Sequence, residues 1–551
     1  VGGNAPLRAS FPQHRPASAK FCALFRLNGE PPHKMRFAAP ASGDLALPPV
    51  AQRVFLTPIT EFFMNTQLQF IPLSSSKLAD KHKILVAYHD SSDVLLDPLC
   101  DDPKTLSLAK KILKKAQSDL KEKAIVKTLI TEVEGESEKT LSIIILPHTA
   151  SRNLSDANFM TLQKAIAPLL DEDECSAYIA ARRAEDHLGF ALLLAKLSSK
   201  YTQKSDDDAK IQRLSCIFVG EHEPTAKKLE ICNATALAVQ NCAKWVDMPP
   251  NQLGPTSFAD IIRHSASEVG IDCEIISGTE LAERGFGGIY NVGKSAAMPP
   301  QLCILRYRAK EAKEHVAIVG KGVTFDTGGL CLKPREHITT MKGDMAGAAI
   351  SLEIACLAAR LKLDVNLTAV IGIAENAIGH EAYRPDDIIT LYSGKTVEIN
   401  NTDAEGRLLL ADGVAYAAKH LNADVIIDIA TLTGAQLIAT GKQHAGVLTP
   451  SEALEKRIRA AGLKVGEPVF PLLYAREILM TEFKSEVADM KNSGKDRMNA
   501  QSSAAGHFVE SHLGDFAGEW MHIDIAGPAW SEERATGYGV GLLLAFLKTK
   551  E

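Results

Sequence analysis

Apolar residues along this chain fall into two patterns, short continuous runs and longer stretches with helical spacing. Between about residues 54 and 220, the runs 84–88, 143–146 and 216–220 predict strands, and 106–123 and 158–170 predict helices between them. That alternation is an α/β pattern whose first unit closes near Glu223. Residues 226–246 carry helical periodicity and stop at Met248-Pro249-Pro250-Asn251, so they predict a connecting helix followed by a linker. After Pro255 the strands become longer and apolar on both faces, at 303–307, 316–319, 365–373, 425–429 and 521–525, with helices expected at 346–361 and 408–421. Strands of that kind belong in a sheet covered by helices on both sides, and ligand chemistry in such sheets gathers beyond the strand ends.

The division expected from these patterns is an extension over 1–53, an N-terminal α/β domain over 54–223, a connecting helix and linker over 224–250, and a catalytic domain over 251–551. Residues 1–50 hold eight prolines and six Lys or Arg against two acids, Glu30 and Asp44, with no sustained period. They are expected to be disordered or processed, and a bland extension is favoured over a transit signal.

Charge and cysteine use narrow the function classes. A formal net charge of −6 makes nucleic acid an unlikely principal partner. Ten scattered cysteines with no CxxC pair argue against a disulfide framework and for a reducing compartment, so a cytoplasmic location is expected. No apolar run approaches the roughly 18 residues of a membrane span.

Polar residues cluster where two strands should hand over to loops. One cluster runs from Gly320-Lys321 through Asp326-Thr327-Gly328-Gly329 and Lys333 to Met341 and Asp344. The other, Asn400-Asn401-Thr402-Asp403-Ala404-Glu405-Gly406-Arg407, immediately precedes a helix. Four carboxylates from Asp326, Asp344, Asp403 and Glu405 in one partly dry pocket would raise one another's pKa values unless cations held them ionised. Two divalent metals would neutralise them, and carboxylates bridging ions about 3.5–4 Å apart form a hydrolytic device. Asp403 and Glu405, two apart in a segment expected to be extended, would project to the same side. Asp326 is expected after a short loop, with Gly328-Gly329 allowing close backbone approach. Lys321 would ordinarily be a counter-ion, but beside two dications its neutral nitrogen can serve as a ligand.

The segment Asn401-Thr402-Asp403-Ala404-Glu405-Gly406-Arg407-Leu408 resembles the signature of the leucyl aminopeptidase (cytosol aminopeptidase) family of dinuclear zinc exopeptidases. The resemblance extends through Lys321, Asp326, Lys333 and Asp344, Ala430-Thr431-Leu432-Thr433-Gly434 and Ala535-Thr536-Gly537-Tyr538-Gly539, strongly over about 245–551. It implies a smaller, macro-like N-terminal α/β domain and a larger C-terminal α/β peptidase domain with a mixed sheet flanked by helices. Carried over by matching positions, Asp326, Asp403 and Glu405 would hold one metal, and Lys321, Asp326, Asp344 and Glu405 the other. Lys333 and Arg407 would be catalytic, with Arg407 holding a bicarbonate. Lys321, Asp326, Lys333, Met341, Asp344, Thr431, Leu432 and Gly434 would contact substrate. Zinc is the implied metal, with Mn or Co able to substitute. The implied activity is release of N-terminal leucine and other apolar residues from short peptides by a homohexamer, a dimer of trimers. Residues 378–383, Ile-Gly-His-Glu-Ala-Tyr, depart from the Ser-Gly-Lys-like loop usual in the family.

Rival readings are a DNA- or nucleotide-binding scaffold and another two-metal hydrolase such as a phosphoesterase. Residues 288–295 match the P-loop pattern, but a short helix expected at 279–285 precedes them and Met298-Pro299-Pro300 blocks a long helix after them. The 16 histidines include no HExxH pair, and no GxSxG elbow is present.

Overall fold

The sequence folds around two sheets. This computed structural model describes residues 66–548, apart from 76–80, 101, 122, 135–136, 148–150, 156, 158, 171–172, 199–200 and 204–211. The expected extension over 1–53 lies outside the described residues. Six strands form the first sheet, in the order Thr66–Phe70, Gln212–Val219, Glu174–Ala180, His82–Tyr88, Ser137–Leu146 and Ile125–Glu134. All neighbours in it are parallel except the last pair.

The second sheet has eight strands, in the order Val469–Pro471, Ala445–Leu448, Glu519–Asp524, Val425–Ala430, His315–Asp326, Asn366–Asn376, Gln301–Tyr307 and Asp272–Ser277. Its four central strands, ending at Asp524, Ala430, Asp326 and Asn376, are mutually parallel, while antiparallel pairs flank them. The mixed α/β architecture expected from the sequence is therefore present. Parallel strands place their carboxyl ends on one edge, and the polar clusters lie along that edge.

The helix Ala226–Asp247 bridges the two layers. In its second turn, Asn233 exchanges two hydrogen bonds with the Phe70 backbone, at 2.8 and 3.0 Å. Near its end, Trp245 Nε1 donates to Glu353 Oε1 at 3.0 Å, inside the helix Ala346–Leu361. A second tie runs from Lys196 to the fully buried Glu467 at 2.6 Å. Glu467 also accepts the amides of Gly539 and Leu542 at the start of the last helix.

Two local expectations need correction. The strand expected at 316–319 runs on through Gly320-Lys321-Gly322 to Asp326, so Asp326 ends a strand instead of following a loop. The glycines there let the strand pass close to helix Ala346–Leu361: a Cβ on Gly320 would lie 2.7 Å from Gly347 O. The segment at 401–405 is not extended but a turn closed by Ala404 N donating to Asn401 O, with Glu405 already helical at φ −77, ψ −38.

The P-loop match proves to be structural. Helix Thr279–Glu283 precedes it, and most of the match lies in the helix Gly287–Gly293. A Cβ on Gly288 would stand 2.3 Å from Leu408 O, so this glycine serves helix packing.

Candidate active site

Lys321 and Asp326 lie on the same strand, Asp344 follows the short turn Met341–Gly343, and Asp403 and Glu405 immediately precede the helix Gly406–His420. These three sources converge. One carboxylate oxygen each from Asp326, Asp403 and Glu405 lies within 4.8 Å of the others. Lys321 Nζ lies 2.8 Å from Asp344 Oδ1 and 3.0 Å from Glu405 Oε1, and donates to Thr431 O at 2.9 Å. Lys333 Nζ lies 2.8 Å from Asp326 Oδ2 and 2.5 Å from Asp403 Oδ1. Both members of the Asp403/Glu405 pair thus reach the site, but by a turn and a helix start instead of strand alternation.

Gly406 makes room for this packing. A Cβ there would sit 2.4 Å from Lys321 Cε, so any other residue would displace the lysine stem. Gly328 and Gly329 adopt φ of +85 and +64, which turns the chain after Asp326 and brings the Gly328 amide onto Asp326 Oδ1 at 2.8 Å.

Burial decides the electrostatics. It pushes Asp344 well above the ordinary carboxylate range, with Lys321 opposing, and it raises Asp326 and Asp403 as well. Burial disfavours the ammonium form of Lys321, but Asp344, Glu405 and Asp326 more than reverse that. Lys333 is likewise held protonated by Asp326, Glu405 and Asp403 against its burial. Arg407 is buried too, which lowers it to about 10, and its Nε has no hydrogen-bond partner among the described residues. Asp403, with its side chain 34% exposed against 2–7% for the other three acids, marks the open side.

The donor set suits divalent cations. Four carboxylates outnumber the two lysines that touch them, and among the described residues the buried Asp344 Oδ2 has no hydrogen-bond partner. Oxygen donors in such excess favour hard or borderline dications.

Thr431 Oγ1 donates to Asp344 Oδ1 at 2.7 Å, so Thr431 joins the cluster through both its hydroxyl and its carbonyl. Leu432 donates its amide to Asp524, and Gly434 opens the short helix Gly434–Ala439 with its surface exposed. Met341 is half-buried, three residues before Asp344.

Several supporting residues escaped the reading of the sequence. Asn376 donates to Asp326 Oδ1 at 2.8 Å and to Thr402 O at 3.0 Å. Thr402 bonds Gly328 O and the Cys331 amide, and Tyr383 donates to Thr402 O at 2.7 Å. The divergent loop at 378–383 thus supplies a buried prop for the turn that carries Asp403. Asn376 had a detectable signal: it ends the strand next to Asp326, three residues past the expected boundary.

The cytosol aminopeptidase catalytic-domain model matches residues 240–544. The chain belongs to the cytosol aminopeptidase family. The matched span contains every site residue above. Among relatives, probable aminopeptidase NPEPL1 of Homo sapiens is 44% identical over 411 residues, covering 73% of this chain and 79% of that protein. Leucine aminopeptidase 1 of Caenorhabditis elegans is 38% identical over 410 residues, covering 74% and 83%. In structure, the leucyl aminopeptidase of Trypanosoma brucei in complex with actinonin superposes with a TM-score of 0.81 at 34% identity, over 92% of this chain and all of that one. Family membership favours the peptidase reading over the nucleotide scaffold and the phosphoesterase. Among the described residues, no helix is long and apolar enough to cross a membrane.

Proposed function

We propose that this family member is a metalloaminopeptidase that releases N-terminal leucine and other apolar residues from short peptides. The observation that carries the reading is the meeting of Asp326, Asp344, Asp403 and Glu405 around Lys321 and Lys333 at the edge of a parallel sheet. In this reading Asp326, Asp403 and Glu405 hold one divalent metal, and Lys321, Asp326, Asp344 and Glu405 the other. Zinc is favoured, with Mn or Co as substitutes. Such a pair supplies polarisation of the scissile carbonyl and a water activated near neutral pH.

The chain's own groups do the rest. Asp344, with a buried oxygen that has no partner among the described residues, accepts from the substrate's amino group and so enforces exopeptidase action. Lys333, kept protonated, stabilises the developing oxyanion, an effect worth about 3–4 kcal/mol in comparable sites. Arg407, whose Nε has no hydrogen-bond partner among the described residues, would hold a bicarbonate, which would supply a proton relay between water and leaving amine. The turn at Thr431, Leu432 and Gly434 takes the peptide backbone, and Met341 forms an adaptable wall for the first side chain. The reading further includes a catalytic domain from about residue 251, a homohexameric dimer of trimers, and a cytoplasmic setting.

A panel of amino-acid anilides and aryl phosphates, assayed with Mn or Zn, tests this function. Leucyl, methionyl and phenylalanyl anilides should be cleaved and phosphates left intact. Phosphate release without anilide cleavage would overturn the reading.

A further inference from the structure

We infer that Asp524 is a positioning residue, which grips the Leu432–Thr433 backbone from behind so that Thr431 presents its carbonyl to Lys321 and its hydroxyl to Asp344. The inference rests on the aminopeptidase reading and deepens it by assigning the residue that sets the substrate-facing turn.

Asp524 closes the strand Glu519–Asp524 in register with Ala430, the last residue of its neighbour, and is fully buried. From there its Oδ1 accepts the amides of Leu432 at 3.0 Å, Thr433 at 3.5 Å and Ala526 at 3.2 Å. Oδ2 accepts the Thr433 hydroxyl at 2.7 Å. With that hydrogen spent, Thr433 Oγ1 accepts from Ser502 at 2.6 Å and from Gln436 N at 3.2 Å. The grip therefore also caps the helix Gly434–Ala439.

One residue earlier the chain faces the other way. Thr431 O receives Lys321 and Thr431 Oγ1 binds Asp344. The turn has acceptors on one side and the reacting cluster on the other, and a shift of about 1 Å in such a turn can cost 10²-fold in rate.

From alternate positions the same strand also holds a second buried carboxylate, Asp428 on the neighbouring strand. Trp520, His522 and Asp524 share one face. Trp520 Nε1 donates to Asp428 Oδ2 at 2.9 Å, and His522 Nδ1 meets Asp428 Oδ1 at 2.5 Å. Burial would lower the His522 pKa, but Asp428 and then Asp524 bring it above its ordinary value.

The test uses the full chain with Mn, and three variants: Thr433→Val, Thr433→Ser and Asp524→Asn. Hydrogen exchange of the 431–434 segment should accelerate at least tenfold in Thr433→Val and stay near wild type in Thr433→Ser. KM for leucyl anilide should rise at least fivefold in Thr433→Val, more than kcat falls, with Thr433→Ser within twofold of wild type. Asp524→Asn, which keeps an acceptor for the Leu432 amide, should fall between them. Folded Thr433→Val with wild-type exchange and KM would overturn the inference, as would equal impairment in Thr433→Ser. If wild type cleaves no anilide, the aminopeptidase reading fails, while the exchange measurement still decides whether Asp524 fixes the turn.

Discussion

Asn376 Nδ2 lies 2.8 Å from Asp326 Oδ1, across two neighbouring parallel strands that end together. The same amide reaches Thr402 O, so one side chain aligns the carboxylate of Asp326 with the turn that carries Asp403. Partners of this kind orient ligands, and removing them costs roughly 10–100-fold in metal affinity. Asn376→Leu is expected to weaken Mn binding by about that factor in a chelator-competition titration. Unchanged affinity would remove Asn376 from the site.

Asp344→Ala should leave one tightly bound metal per chain and no measurable hydrolysis. It removes a carboxylate from the cluster and deprives the Thr431 hydroxyl of its acceptor. Elemental analysis after dialysis, paired with an anilide assay, checks both halves of this expectation. Two retained metals with full activity would refute the assignment.

Lys333→Met keeps the length of the side chain but loses its charge. If Lys333 serves the transition state, kcat should fall by roughly 10²–10³ while KM changes far less. A pure rise in KM would make Lys333 a binding group only.

Stability should depend on pH through Glu353. Burial raises its carboxyl from 4.5 to about 7, although Trp245 and Asn241 donate to it. The folded state therefore binds a proton that the unfolded chain releases between these values. The resulting stabilisation is complete below about pH 4.5 and is lost as the pH rises through 7, with an upper size of about 3 kcal/mol. Glu353→Gln keeps an acceptor for Trp245 and should flatten this part of a urea-denaturation profile against pH. An unaltered slope would show that Glu353 does not titrate there.

Much of this architecture was legible because parallel strands buried on both faces leave long apolar runs, as at 303–307 and 425–429, both inside observed strands. The helix at 346–361 matched its observed bounds because small and apolar residues fill nearly every position of a buried helix. The acids and lysines of the cluster stood out as charges gathered in two short segments beside apolar runs. What escaped detection depended on tertiary contact. Gly320 and Gly322 interrupt no strand, since a helix packs against their bare backbone, and Asp403 reaches Glu405 through a turn. The bonds from Asn376 to Asp326, from Tyr383 to Thr402 and from Leu432 to Asp524 span at least 19 positions, a relation no local pattern encodes. Asp524 did leave a trace, as one of two polar residues alternating within the apolar run 521–525.

The central claim is that a pair of metals held by these four carboxylates is required for N-terminal hydrolysis. Chelated protein titrated with Mn or Zn, with bound metal and leucyl anilide cleavage measured on the same samples, tests it most directly. Activity should be absent without metal and reach its plateau at about two ions per chain. A full rate in metal-free protein, or a plateau before any ion binds the Asp326–Asp344–Asp403–Glu405 cluster, would contradict it.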